Sequence, residues 1–318
     1  MSQISVYSQL SMFPLSSKQI NCLLRSGCQT AADVLNREIT QLATQSTLSL
    51  SELRMIYRCL WKYKDTSDLP GQSAYDIFCN SLTLKTFSRS IDKILGGGIR
   101  PGDIVEIVGE PGSGKSQLLM QLGALACSDI AGLGGNAVFI DTEGSFTMHR
   151  FSTILTSTAS HLKGLSSRHD VNEILKSTQY FRVNSVEELL HVVENIHTLI
   201  KSYNIKLVLI DSVACPLRKA TFSVRVHAMS VLAAEFLKLS ANYSSVVVFT
   251  NHVTIRNDKC VPSLGLSWGH VSSIRIWLSR REEVFSAKLI KGGCVDCTKE
   301  VLFDITVNGI RDVITNYI

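Results

Sequence analysis

The chain has 318 residues, 45% of them apolar, and its 32 Lys and Arg outweigh 27 Asp and Glu for a formal charge of +5. That length and apolar content exclude a disordered or fibrous chain and allow one large domain, or a small one joined to a large one. The mild basic excess permits a nucleic-acid partner without demanding one. No apolar run approaches the ~20 residues of a bilayer span, and the first ten residues lack the basic start and apolar stretch of a signal peptide.

Taken in order, residues 13–64 read as short helices. Ser16 or Ser17 caps the first, Ile20, Leu23 and Leu24 line one face, and Gly27 follows its end. Thr30 opens a second at 31–35. Ser49-Leu50-Ser51-Glu52 has the spacing of a capping box, and Leu53, Ile56, Tyr57, Leu60 and Trp61 follow at helical intervals. Residues 1–64 are therefore expected to form a small helical domain. Residues 65–82 form a linker: 64–72 is polar with Pro70 and Gly71, and Tyr75-Asp76-Ile77-Phe78 then adds apolar side chains to the tether. Two readings stay open for Tyr75, Ile77 and Phe78: packing on their own domain, or docking on a neighbouring subunit.

From residue 83 to 318 strands and helices alternate. Strands are expected at 103–108, 137–140, 180–183, 207–210 and 246–249. Helices are expected at 115–126, 147–162 and 186–200, and around Val226, Met229, Ala233, Phe236 and Leu237. Such alternation specifies an α/β fold with a mainly parallel, buried central sheet. Runs at 274–278, 287–290 and 301–305 are separated by turns and predict antiparallel strands. Nine cysteines are scattered through the chain, and in a reducing compartment they act as small apolar residues. Cys294 and Cys297 form an isolated C-x-x-C without the second pair that a structural zinc site needs.

Gly109-Glu110-Pro111-Gly112-Ser113-Gly114-Lys115-Ser116 lies between the strand at 103–108 and the helix that begins near Gln117. Strand, glycine loop and helix together form the context of a nucleotide-phosphate loop. The glycines let successive N–H groups turn toward phosphate oxygens, and the helix N-terminus adds positive potential. Lys115 is then expected to reach the β- and γ-phosphates of ATP and Ser116 to ligate Mg²⁺. Ligands in open α/β sheets bind beyond the carboxyl ends of the strands, and three such ends carry polar groups. Asp211 ends an apolar run, as a Walker-B acid does beside Mg²⁺. Glu143 follows another and can activate the attacking water. Asn251 and His252 follow a third, where they can sense the γ-phosphate.

Phe139-Ile140-Asp141-Thr142-Glu143-Gly144-Ser145-Phe146 resembles the catalytic-glutamate motif of the RecA-type recombinases of eukaryotes and archaea. Leu95-Gly96-Gly97-Gly98-Ile99, Leu209-Ile210-Asp211-Ser212 and Leu264-Gly265-Leu266-Ser267-Trp268-Gly269-His270 resemble the same family. Phe13-Pro14-Leu15-Ser16, the stretch from Gly27 to Leu35, and Asn308-Gly309-Ile310-Arg311-Asp312 resemble its C-type paralogue branch in homologous-recombination repair.

The resemblance implies a RecA-like ATPase core behind a helical domain, with ATP and Mg²⁺ as cofactors and Glu143 as catalytic carboxylate. It implies that Arg150 stacks on adenine, that Tyr75–Phe78 docks on another subunit, and that Lys291 reaches ATP held by a neighbour. It places DNA contacts on a loop near 213–225, with Arg218, Lys219 and Arg225, and on another near 254–266, with Arg256 and Lys259. Other recombinase paralogues, the main recombinase filament, and single-stranded or branched DNA are the implied partners, with no membrane. The implied location is the nucleus with a cytoplasmic pool, although Ile318 ends the chain without the basic tail of C-type relatives. His252 departs from the glutamine usual in the family. Two functions follow: a DNA-stimulated ATPase that assists the recombinase, or an assembly subunit in which bound ATP is structural. A ring helicase or small-molecule kinase on the same core fits the helical domain and docking linker less well.

Overall fold

The computed structural model describes residues 8–61, 82–128, 131–162, 171–292 and 299–313. Tyr75, Ile77, Phe78, Cys294 and Cys297 lie outside the described residues. The chain divides into two compact units, Met1–Asn80 and Ser81–Ile318, and among the described residues no helix is long and apolar enough to cross a membrane.

The first unit holds α1 (Ser17–Arg25), α2 (Ala31–Leu35), α3 (Ile39–Gln45) and α4 (Leu50–Trp61). Local chemistry sets where three of these begin. Ser16 Oγ accepts from Gln19 N, and the Ser16 N–H donates to Gln19 Oε1 in return; Thr30 and Asp33 form the same reciprocal pair, as do Ser49 and Glu52. Each pair satisfies two of the four N–H groups that a helix start leaves without partners. Leu23, Val34, Leu42, Leu53, Ile56 and Leu60 then meet in one core. The Tyr57 hydroxyl reaches the carbonyls of Val34 and Arg37 at 2.7 and 2.5 Å, tying α4 to the end of α2.

The second unit runs α5 (Arg89–Ile94), β1 (Ile104–Gly109), α6 (Lys115–Leu125), β2 (Asn136–Asp141), α7 (Met148–Leu162), α8 (Val171–Ser177), β3 (Gln179–Arg182), α9 (Val186–Tyr203), β4 (Ile205–Asp211), α10 (Ala214–Lys219), α11 (Phe222–Tyr243), β5 (Val246–Asn251), β6 (Val253–Arg256), β7 (Lys259–Pro262), α12 (Gly265–Trp268), β8 (Ile274–Arg281), β9 (Val284–Lys291), β10 (Glu300–Thr306) and β11 (Gly309–Asp312). Nine strands form one sheet in the order β11-β10-β9-β8-β1-β5-β4-β2-β3, and β6 pairs with β7 separately. β3, β2, β4, β5, β1 and β8 are mutually parallel, while β9, β10 and β11 continue antiparallel. This is an α/β, RecA-like core with a mainly parallel sheet and antiparallel C-terminal strands, as the sequence predicts.

Side chains alternate across the sheet with the two-residue period of a strand. Val105, Ile107, Ala137, Phe139, Leu207, Leu209, Val246 and Val248 join one apolar layer with α6 and α7. Ile104, Val138, Ile140, Val208, Ile210, Val247 and Phe249 join the other with α9 and α11. Both faces being covered explains why the strands read as continuous apolar runs.

Three details differ from the expectations. β8 is antiparallel only to β9 and lies parallel to β1, because the chain between β5 and β8 crosses back before re-entering the sheet. α11 starts at Phe222, ahead of the first periodic residue, Val226. Phe222 stands one helical turn before Val226 and extends the same period, but it is 79% exposed and packs on no core. The stretch 213–225 is accordingly mostly helical, not an open loop. Likewise, 253–262 is a β-hairpin, turned at Asn257-Asp258 with φ of 49° and 57°. Two successive positive φ values favour Asn and Asp, and they match the twist of paired strands.

Candidate nucleotide site at the strand ends

The phosphate loop leaves β1 at Gly109 and enters α6 at Lys115. Two glycines are required by what surrounds them. A Cβ on Gly109 would lie 2.4 Å from the Leu278 carbonyl of neighbouring β8. Gly114, at φ +94°, would bring one 2.8 Å from Ile305 of β10. The loop therefore sits tightly against the adjacent strands, and only glycine allows both the approach and the left-handed turn. Lys115 Nζ folds back to donate to the Gly109 and Glu110 carbonyls at 2.9 and 2.8 Å. Burial pushes its pKa down, and the negative charges of Asp211, Glu143 and Glu110 oppose that push. An ammonium has three donors, so one remains for an anion. Glu110, Pro111 and Gly112 form the exposed lip of the loop, and the Ser113 hydroxyl is buried without a partner.

β4 delivers Asp211 to the first turn of α6. Ser116 Oγ donates to its Oδ2 at 2.5 Å, Ser145 Oγ donates to the same oxygen, and Thr250 Oγ1 donates to Oδ1 at 2.5 Å. The carboxylate thus receives three neutral hydroxyls, from the first turn of α6, the loop after β2 and the end of β5. A carboxylate with an adjacent serine hydroxyl is the hard oxygen set that Mg²⁺ prefers, with water and phosphate completing its shell. The residues present fit that ion.

Glu143 lies beyond β2 on an exposed turn, with its side chain 29% exposed. Its Oε1 accepts from the Ser212 hydroxyl and stands 2.5 Å from His252 Nε2. Burial raises the carboxyl pKa, but the hydrogen bonds from His252 and Ser212, with the positive charge of Lys115, outweigh it and hold the pKa below its ordinary value. The loop carrying Glu143 is itself held by Asp141. Asp141 Oδ1 accepts the N–H groups of Glu143, Gly144 and Ser145 at 3.0, 2.7 and 3.3 Å, and Oδ2 accepts Phe146 N and the Tyr180 hydroxyl. Arg182 pairs with the same carboxylate at 3.4 Å.

Arg150 lies beside the start of α6. Its Nε donates to Gln117 Oε1 at 2.7 Å, and its two terminal nitrogens donate to the Val307 and Thr306 carbonyls. The guanidinium edge is thereby fixed by α6 and the β10–β11 turn.

Asn251 is not brought to the phosphate loop. Its side chain is fully buried, donating to Glu106 Oε1 and to the Ser263 carbonyl and accepting from Ser263 Oγ. Glu106 also pairs with Arg275 at 2.6 Å, so Asn251 belongs to a buried network under the β6–β7 hairpin. Lys291 also turns inward, donating to the Gly269 and Ser272 carbonyls. Arg218, Lys219, Arg256 and Lys259 are exposed, whereas Arg225 is half-buried and bonds the Ala220 carbonyl. Ser145, Thr250, Ser212 and Asp141 complete the site, and sequence reasoning did not single them out. Asp141 carried a usable signal, an acid two residues before Glu143 at a strand end. Three hydroxyls among many serines and threonines carried none.

Fold and site together define a phosphate-loop ATPase of the RecA type. Residues 79–313 match the Rad51 family model, and the chain belongs to the Rad51 family. It is 31% identical to DNA repair protein RAD51 homolog 3 of Cricetulus griseus, over 96% of this chain and 92% of that protein. It is 30% identical to DNA repair and recombination protein RadA of Aeropyrum pernix, over 78% of this chain and 80% of that one. To DNA repair protein RAD51 homolog 3 of Dictyostelium discoideum it is 30% identical, over 73% of this chain and 66% of that protein.

Proposed function

We propose that the chain is an ATP-binding and ATP-hydrolysing subunit of a recombinase-paralogue assembly. It supports strand-exchange filaments on single-stranded or branched DNA during homologous-recombination repair, in the nucleus. Membership of the Rad51 family and the repair proteins it resembles support the process. The observation that carries the hydrolytic reading is the gathering of Ser116, Asp211 and Glu143 around one phosphate loop, although they lie far apart in sequence.

In this reading the backbone N–H groups of residues 112–116 and the spare donor of Lys115 bind the β- and γ-phosphates. Ser116 and Asp211 hold Mg²⁺, which when bound screens the charge that builds on the phosphate oxygens. Glu143 orients a water and takes its proton as that water attacks phosphorus. Arg150, fixed along its edge, offers its flat face to adenine. His252 reports the state of Glu143 to the β6–β7 hairpin that follows it. Arg218, Lys219, Arg256 and Lys259 supply exposed charge for a phosphodiester backbone, a contact that weakens with salt. Asn251 shapes the base of the hairpin through Glu106 and Ser263.

The test is ATP turnover of the purified chain, with and without single-stranded DNA, and beside its Lys115→Ala and Glu143→Gln variants. Lys115→Ala should lose nucleotide binding. Glu143→Gln should keep binding and lose turnover by about 100-fold or more, the usual worth of a general base. Wild-type binding with no turnover under any condition would reject the hydrolytic reading and leave bound ATP a structural role.

A further inference from the structure

Asp211 stands beside the first turn of α6, and its acceptor positions can be counted. An ionised carboxylate has about four lone-pair positions, shared equally by its two oxygens, and no proton to give. Ser116 Oγ and Ser145 Oγ both donate to Oδ2, and Thr250 Oγ1 donates to Oδ1. The two serines therefore fill Oδ2, while Oδ1 keeps a free position. Ser116 belongs to the phosphate loop. Ser145 comes from the loop after β2, just past Glu143. Its backbone N–H is fixed on Asp141 Oδ1 at 3.3 Å, and Phe146 beside it is stacked on Tyr180 and packed against Phe139 and Phe151. A cavity of about 10 Å³ next to Ser145 is lined by Leu119, Met120, Phe139 and Phe146 around the two aspartates. Asp141 is already engaged by the N–H groups of residues 143–146, the Tyr180 hydroxyl and Arg182. A Ser145 hydroxyl turned away from Asp211 would lose a charged acceptor and gain none.

We propose that Ser145 sets metal specificity at this site: by filling Asp211 Oδ2 beside Ser116, it limits the carboxylate to one free oxygen and so favours Mg²⁺ over larger cations such as Ca²⁺. The inference rests on the reading of the site as one for ATP with Mg²⁺. Its basis is coordination chemistry. Mg²⁺ takes a strict octahedral shell, keeps several waters and needs few carboxylate contacts. Ca²⁺ takes a larger and looser shell and accepts carboxylates that grip it with both oxygens. A two-oxygen grip needs a lone pair on each oxygen, and Oδ2 has none to give while both serine protons are on it. Loss of the Ser145 hydroxyl frees that position and admits the grip. The selection is thus made by the same loop that carries Glu143, and a neutral hydroxyl makes it without adding charge to the site.

The experiment uses the full chain and the imidodiphosphate analogue of ATP, which resists hydrolysis at the γ-phosphate. Calorimetry reads the affinity for the analogue with Mg²⁺ and, separately, with Ca²⁺. In Ser145→Ala the ratio of the two affinities should shift toward Ca²⁺ by about tenfold, the scale of one hydrogen bond to a charged group. Ser145→Thr keeps the hydroxyl and should keep the wild-type ratio. A merely structural role for Ser145 would weaken binding with both metals alike. An unmoved ratio in Ser145→Ala therefore overturns the proposal, as does a Ser145→Thr protein that shifts as far as the alanine variant. If Ser145→Ala does not fold, Ser145→Cys takes its place: the thiol is a weaker donor, and the ratio should move the same way by a smaller factor. A wild type that binds the analogue with neither metal removes the nucleotide reading and the proposal with it. A wild type that binds with both, beside variants of unchanged ratio, removes the proposal alone.

Discussion

The helical unit and the sheet unit solve the same problem, fixing a helix start, at different distances along the chain. In the helical unit Thr30 caps α2 with a partner three residues away, Asp33. In the sheet unit Ser88 caps α5 locally, but Asp312 completes the cap from the far end of the chain, accepting from Ser88 Oγ and from the N–H groups of Arg89 and Ser90. The lesson extends to function. Several pairs that build the nucleotide site join residues separated by one or more secondary elements, such as Ser116 with Asp211 and Glu143 with His252. Local bonds start the helices of the helical unit; long-range bonds join the separate parts of the site. Changes in the two units should therefore differ in reach.

The largest effect is expected at Asp141. One buried carboxylate organises the N–H groups of residues 143–146 and the side chains of Tyr180 and Arg182. Asp141→Ala removes all of these acceptors and leaves Arg182 without its ion pair. Arg182 is 40% exposed and regains water, so the expected loss, about 2–3 kcal/mol of stability, comes from the N–H and hydroxyl groups that lose a charged acceptor. Calorimetry should show it in the sheet unit alone. Asp141→Asn should lose less stability but still misplace Glu143, lowering turnover while leaving nucleotide affinity near wild type.

Tyr57→Phe sharpens the comparison from the other side. It deletes only the hydroxyl that tethers α4 to α2, so the helical unit should lose about 1–1.5 kcal/mol, the net worth of a part-buried hydrogen bond. Nucleotide binding by the sheet unit should not move. A fall in ATP affinity in Tyr57→Phe would contradict the separation of local from long-range effects.

The same contrast explains what could be read from the sequence. The phosphate loop, Asp211 and Glu143 were legible because each is a polar residue at the end of an apolar run, and a parallel sheet forces such ends to one edge. The helix starts at Ser16, Thr30 and Ser49 were legible because both halves of each cap lie within four residues. Asn251 illustrates the limit. Its place at a strand end is correct, but the side chain turns toward Glu106, a charge inside β1 whose partner Arg275 lies on another strand. No local pattern shows which side of the backbone such a residue will serve. The hairpin at 253–262 escaped for a different reason: Val253 and Ile255 alternate with Thr254 and Arg256, but over four residues only, and Ile255 is 78% exposed, so the pattern serves no core.

The smallest effects test the caps themselves. Burial pushes the Asp312 carboxyl pKa up, but the Ser88 hydroxyl and the N–H groups of Ser90 and Arg89 outweigh burial and hold it below the ordinary value. A folded pKa below the unfolded one means stability that is fully present above the ordinary aspartate value, about 4, and lost as pH falls through the folded value. Asp312→Asn should therefore be less stable than wild type at pH 7 by about 1 kcal/mol, the typical worth of a cap. That difference should shrink as urea denaturation is repeated at lower pH. Thr30→Ala should cost about the same amount at pH 7, but in the helical unit only. Because Asp33 also loses a hydrogen bond from that threonine, its pKa should rise toward the ordinary value in the variant. Of the two, Asp312→Asn should also reach the nucleotide site. β11 lies against Gln121 through Ile310 N, and Arg150 holds the carbonyls of the turn just before it. Loosening that strand should weaken ATP binding slightly, whereas Thr30→Ala should leave it unchanged.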